Sequence, residues 1–308
     1  MLRYTLRRLL FLLPILYAVS TLVFFFIHVI PGDPVDAILG EQALVSDRQA
    51  LRRQLHLDEP LWQQQLRFVD GLLHGDLGRS LLSREKVTTM IARSFPATMH
   101  LALAAILIAL GLALPLGVLA SLRRGSWLDR GSMLFALVGI AMPNFWLGPL
   151  LALLFAVQLD WLPLAGRDLP GSVLLPALTL GASMAALTSR LTRSSMLDIL
   201  GEDYIRTARA KGLSQRRVIA KHALVNALNP VVTIVGLQIG ALLAGAIVTE
   251  KVFSWPGIGT LLLTAIERRD YPVVQGCILV IAVSYVLVNV ATDLLYARLD
   301  PRVRFSEV

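Results

Sequence analysis

The chain has 308 residues, 56% of them hydrophobic and 16% charged, with 29 Lys and Arg against 21 Asp and Glu. A mean hydropathy of +0.66 excludes an ordinary soluble domain, whose apolar share stays below about half, and points to a bilayer as the solvent. The single cysteine, Cys277, excludes an intrachain disulfide and a cysteine metal cluster. The net charge of +8 is spread over several membrane-flanking segments without interleaved aromatics, which argues against a nucleic-acid partner.

Six apolar runs reach the length of about 20 residues that a helix needs to cross the hydrocarbon core. In chain order they are Leu9–Ile30, Thr98–Leu122, Met133–Val157, Val173–Leu191, Val231–Thr249 and Val274–Tyr296. The expectation is an all-α integral membrane protein of six transmembrane helices, with both termini on one side. The first run is too long for a cleaved signal core and lacks a small-residue cleavage site before Pro31-Gly32-Asp33-Pro34, so residues 1–30 read as a retained anchor.

Residues 31–97 are polar and charge-balanced, with helical spacing at Asp47–Leu55 and Leu61–Leu73 and a turn at Gly75-Asp76-Leu77-Gly78. Residues 98–297 form the membrane core. In its third run Pro143 and Pro149 flank Asn144-Phe145-Trp146 and should bend the helix where it can line a path. The loop Gln158–Ser172 carries Trp161, Pro163 and Gly166, as an outer-interface loop would. Gly236, Gly240 and Ala244, with Gly245 beside them, let a neighbouring helix approach the fifth run closely. Between the fifth and sixth runs, Glu250–Val273 reads as a re-entrant or interfacial helix, and residues 298–308 form a tail. Polar or aromatic groups beside these bends and contacts make Asn144, Phe145, Trp146 and Gln238 the candidates for a translocation path.

Basic residues in short loops mark the cytoplasmic side. One side holds 17 Lys and Arg against 6 acids, in the segments around Arg3, Arg123, Arg190 to Lys221 and Arg298, whereas the other holds 12 against 14. Both termini are therefore expected in the cytoplasm and residues 31–97 in the periplasm.

The most informative cytoplasmic stretch follows the fourth run. Glu202 and Asp203 favour a helix start, Arg209 and Lys211 its end, and Gly212 the left-handed residue just beyond, giving a helix over Glu202–Lys211. Ser214 then stands as N-cap of a second helix through Val218, Ile219, Ala223 and Leu224, expected to stop before Pro230. Lipid contact alone would not require small Ala208 and Ala210, a tight turn and a helix returning to the membrane.

Other chemistry has little footing. The chain lacks a G-x-x-x-x-G-K-[ST] phosphate loop and a G-x-S-x-G elbow, and His28, His56, His74, His100 and His222 have no ligand-like spacing, so no metal is assigned. A proton-coupled secondary transporter would bury ionisable groups in its spans, which here hold few charges, chiefly Asp293. A passive channel would leave the cytoplasmic two-helix knob without a purpose.

The segment from Glu202 to Ser214, together with Pro31-Gly32-Asp33-Pro34, Gly75-Asp76-Leu77-Gly78, Met142-Pro143-Asn144-Phe145-Trp146, the run Phe253 to Gly259, Arg269-Asp270-Tyr271-Pro272 and Asp300-Pro301-Arg302, resembles the permeases of the dipeptide, oligopeptide and nickel branch of ABC importers. The general permease pattern begins Glu-Ala-Ala before its glycine, whereas this chain has Arg206-Thr207-Ala208 before Gly212; the branch resembled shares that habit. The resemblance implies the type I ABC importer permease fold in the bacterial inner membrane, with a coupling loop over residues 192–230. Tyr204 through Leu224 would dock in a groove of an ATP-binding subunit, and Glu202, Asp203, Tyr204, Thr207, Ala208, Ala210, Lys211, Gly212, Leu213 and Ser214 would carry the coupling. It further implies a second homologous permease, two ATP-binding subunits that hold ATP and Mg, and a periplasmic substrate-binding protein, with no catalysis in this chain. The wording from Thr192 to Gly212 is most similar to dipeptide permeases, so dipeptides or short oligopeptides are the expected cargo; nickel and glutathione importers share much of it.

Overall fold

A computed structural model describes residues 14–25, 34–40, 43–55 and 57–299. The parts of the first run outside Pro14–Phe25, the Pro31-Gly32-Asp33 start of its following motif, His28, His56 and the tail from Asp300 lie outside the described residues, and with them the sidedness of the termini.

Among the described residues the regular structure is helical, with an isolated antiparallel bridge between Arg79 and Lys86. Helix α1 is Pro14–Phe25, α2 Pro34–Leu39, α3 Val45–Gln54 and α4 Leu61–Leu73. Then come α5, Val87–Leu122, α6, Trp127–Ala141, and α7, Asn144–Leu151, which ends in a π-helical turn over Ala152–Gln158. Helix α8 is Leu174–Leu200, α9 Asp203–Ala210 and α10 Gln215–Arg217, leading through a π-helical turn, Val218–Leu224, into α11, Val225–Val252. Helices α12, Ile258–Glu267, and α13, Tyr271–Leu299, complete the described chain.

Four of these stretches are long and apolar enough to cross a membrane, and α6 with α7 makes a fifth if the bent pair counts as one span. Leu103 and Leu107 of α5 and Leu134 and Leu137 of α6 are exposed, as lipid-facing positions are. At 36 residues α5 is about 54 Å long, well beyond the core thickness of about 30 Å, so its first turns precede the run that begins at Thr98.

The chain divides into two compact units, the first from the described residues of Met1–Thr98 with Pro256–Val286, the second from Met99–Trp255 with the described part of Leu287–Val308. In the first unit the turn at Gly75–Gly78 forms as expected, with Gly78 N–H donating to Asp76 Oδ1 at 2.9 Å. The loop after it is fastened to the start of α13: Asp270, 4% exposed, accepts from Ser80 Oγ at 2.5 Å and from Leu81 N–H at 3.0 Å. Gln65 of α4 donates to Thr21 Oγ1 of α1 at 3.1 Å, and Ile258 N–H, at the start of α12, donates to Thr98 Oγ1 at 2.8 Å.

The second unit is built around α8, which packs on α6, α7 and α11. Small residues allow close approach: a Cβ on Gly139 of α6 would lie 2.6 Å from Ala186 Cβ, and one on Gly117 of α5 would lie 2.6 Å from Thr192 Cβ. The glycine stripe of the fifth run serves the same end at Gly236, where a Cβ would meet Thr292 Cγ2 of α13 at 1.8 Å. Phe253 and Trp255 are buried, and Gly166 N–H of the loop 158–172 donates to Phe253 O at 3.0 Å.

Two expectations change. Pro143 and Pro149 do not share one bend: the break falls at Met142-Pro143, where α6 and α7 turn by 111°, whereas Pro149 sits inside α7. Pro143 fixes an extended N-cap backbone, φ −67° and ψ 140°, that cannot continue α6. The second cytoplasmic helix does not stop before Pro230 but runs through it into α11. A membrane helix tolerates an internal proline, and hydroxyls bind carbonyls on either side of this one: Ser195 Oγ donates to Ala227 O at 2.9 Å and Thr233 Oγ1 to Asn229 O at 3.4 Å.

Candidate coupling and translocation sites

Helix α9 follows its sequence signals. Glu202 takes the N-cap position, Asp203 opens the first turn, Lys211 is the C-cap and Gly212 adopts φ +76°. Ser214 has the extended N-cap backbone of the next helix, although its hydroxyl makes no capping bond.

The helix is two-faced. Ile205 and Ala208 are buried in an apolar cluster with Met196 of α8, Val218 and Ala223 of the π-helical turn and Ala227 of α11. Burying an aliphatic side chain of this size contributes about 1.5–3 kcal/mol, enough to seat a two-turn helix that is too short to be stable alone. The opposite face, Asp203, Arg206, Thr207, Ala210 and Lys211, is exposed, as are Glu202, Gly212 and Ser214. Leu213 is half-buried against the cluster. Ala208 thus belongs to the inner face and packs the knob together. Tyr204 bridges the two helices, since its Oη accepts from Asn226 Nδ2 at 3.0 Å and donates to His222 O at 3.4 Å.

Just above the knob, Arg193 of α8 meets Asp129 in the first turn of α6. Nε and one terminal nitrogen both donate to the carboxylate, at 2.5 and 2.9 Å, and Gly125 N–H adds a third bond at 2.8 Å. Such a forked pair is geometrically specific and stronger than a neutral hydrogen bond. It ties the helix that carries the knob to the helix that ends at the Pro143 break.

The four path candidates separate. Asn144 and Gln238 line a cavity of about 140 Å³ between α7, α8 and α11, together with Ser183, Met184, Leu180 and Leu242. Phe145 and Trp146 are exposed and do not line it. Gln238 Nε2 donates to Thr188 Oγ1 at 3.0 Å. Asn144 Oδ1 is buried and accepts no hydrogen bond among the described residues, a state that costs about 1–3 kcal/mol.

Sequence reasoning missed Ile205, Met196, Ser183 and the Asp129–Arg193 pair. Ile205 had a signal, being the one large aliphatic residue in an otherwise charged and small-residue helix; the others depend on which helices meet.

Known proteins match these features. Residues 113–305 match the family described as binding-protein-dependent transport system inner membrane component, and residues 1–102 match that system's N-terminal membrane component. The glutathione transport system permease protein GsiC of Escherichia coli is 47% identical over 306 residues, 99% of this chain and all of that protein. The dipeptide transport system permease protein DppB of Escherichia coli is 45% identical over 339 aligned positions, covering all of both chains. In fold, the chain is similar to a chain of the inward-facing MetNI methionine ABC transporter, with a TM-score of 0.55 at 16% identity, over 69% of this chain and 97% of that one. The chain belongs to the binding-protein-dependent transport system inner membrane component family and is a multi-pass inner-membrane permease of an ABC importer.

Proposed function

We propose that this permease carries short peptides of two or three residues inward, driven by ATP that two partner subunits bind with Mg and hydrolyse. A second homologous permease would complete the path, and a periplasmic binding protein would deliver the cargo. A peptide of glutathione size is favoured by alignment length: GsiC matches over 306 residues, nearly the whole chain, whereas DppB needs 339 positions against the 308 residues here and so carries insertions this chain lacks.

The observation that supports coupling is the two-faced α9, held by Ile205 and Ala208 and presenting Asp203, Thr207, Ala210 and Lys211 outward. A rigid knob docked in an ATP-binding subunit passes its displacement to α8. Met196 in the knob's core and Met184 at the cavity are 12 residues apart on that helix, about 18 Å along its axis. Arg193 lies between them and carries the motion to α6 through Asp129.

Lys211→Cys in the assembled complex tests the docking. A cross-link from the introduced thiol to the ATP-binding subunit, with a yield that changes with nucleotide, supports it. An ATP-hydrolysing complex in which positions 207, 210 and 211 all fail to cross-link would place the docking surface elsewhere.

A further inference from the structure

The cavity at the Pro143 break has a composition that the importer reading alone does not explain. Its lining holds no charged side chain, yet three of its residues, Asn144, Ser183 and Gln238, are polar, each from a different helix. Polar groups in a membrane segment are costly unless paired, and they mark places where something polar passes or binds.

Two of the three are partly occupied. Ser183 Oγ donates to Leu180 O in its own helix at 3.3 Å and keeps its lone pairs, and Gln238 uses Nε2 on Thr188. Asn144 Oδ1 has no partner among the described residues and is sealed from solvent. It is an unpaired acceptor on a residue that lines the cavity.

We propose that Asn144, Ser183 and Gln238 form a subsite that hydrogen-bonds the main-chain amide groups of the passing peptide. This rests on the peptide-importer reading and adds which chemical group is recognised, and where. An amide presents a donor and an acceptor side by side, the pattern that Asn and Gln side chains complement. Charged termini would call for opposite charge, and a metal ion for carboxylate, imidazole or thiolate ligands, none of which the lining holds. At about 140 Å³ the cavity is close to one that takes a benzene-sized group, about 150 Å³, which is room for one peptide unit. Reading the main chain one unit at a time leaves the side chains unread. The permease would then accept many short peptides and leave discrimination among them to the binding protein.

The test uses the assembled transporter in proteoliposomes with saturating binding protein. The probes are trialanine and trialanine N-methylated on the amide nitrogen of its central residue. The wild type should carry the methylated peptide about three- to tenfold more slowly, the weight of one lost hydrogen bond. Asn144→Leu and Gln238→Leu should slow trialanine itself and erase most of the difference between the probes. Ser183→Ala, the mildest change, should narrow it and serves if either larger variant fails to assemble. Equal uptake of the two peptides by the wild type, or a ratio unchanged in the variants, overturns the subsite while leaving the importer reading intact. Absence of ATP-driven uptake of both peptides by the wild type overturns the short-peptide reading on which the subsite rests.

Discussion

Arg193 and Asp129, 64 positions apart, form a forked ion pair that joins α8 to α6 directly above the coupling knob. With side-chain exposures of 20% and 8% the pair is largely removed from solvent, and loss of one member strands the other. Arg193→Ala and Asp129→Ala should each destabilise the permease by about 3 kcal/mol, lowering its unfolding temperature in detergent. The double variant should recover much of the loss, and strictly additive effects would show that the two charges act independently.

Gly212 takes φ +76° with open space around it, so the constraint there is backbone conformation and not crowding. Gly212→Val should strain the turn by about 1–3 kcal/mol, leave the protein in the membrane and lower uptake per ATP hydrolysed. Gly212→Asn, which tolerates this conformation, should stay near wild type. An unchanged ratio in the valine variant would separate the turn from coupling.

The inner and outer faces of α9 should behave differently. Ile205→Ala removes a fully buried side chain from the knob's core and should cost about 2–5 kcal/mol, seen as reduced thermal stability. Arg206→Ala, on the exposed face with only an exposed partner in Asp203, should leave stability within about 0.5 kcal/mol and act on ATPase docking alone. Equal thermal losses from the two would contradict the assigned faces.

The α6–α8 contact offers a reciprocal test. Gly139→Ala drives a methyl to within 2.6 Å of Ala186 Cβ and should destabilise the pair by about 1–3 kcal/mol. Adding Ala186→Gly restores the room, so the double variant should be more stable than Gly139→Ala alone. If it is less stable, the helices do not meet at these positions.

Local signals were legible in the sequence. Apolar spacing after Pro60 places α4 at Leu61–Leu73, and the charge order from Glu202 to Lys211 with Gly212 behind it locates α9 within a residue at each end. Effects of neighbours were not. Pro230 reads as a helix stop in isolation, yet it lies inside α11 and the helix continues through it. The polar residues Thr88, Thr89 and Arg93 hide how early α5 begins, because its first turns lie beyond the apolar run. Phe145 and Trp146 share a motif with Asn144, but a helix turns about 100° per residue, so Asn144 lines the cavity and the two aromatics remain exposed. Contacts such as Asp129–Arg193 and Asn144 near Gln238 depend on the packing of separate helices, which periodicity does not encode.

The most direct measurement is uptake of radiolabelled glutathione into proteoliposomes that hold the purified complex, comparing ATP supplied on the knob's side with an imposed proton gradient. An ATP-driven importer accumulates glutathione only with ATP and binding protein, and accumulation stops when ATP is replaced by a non-hydrolysable analogue. Accumulation driven by the proton gradient without ATP would contradict ATP-driven import.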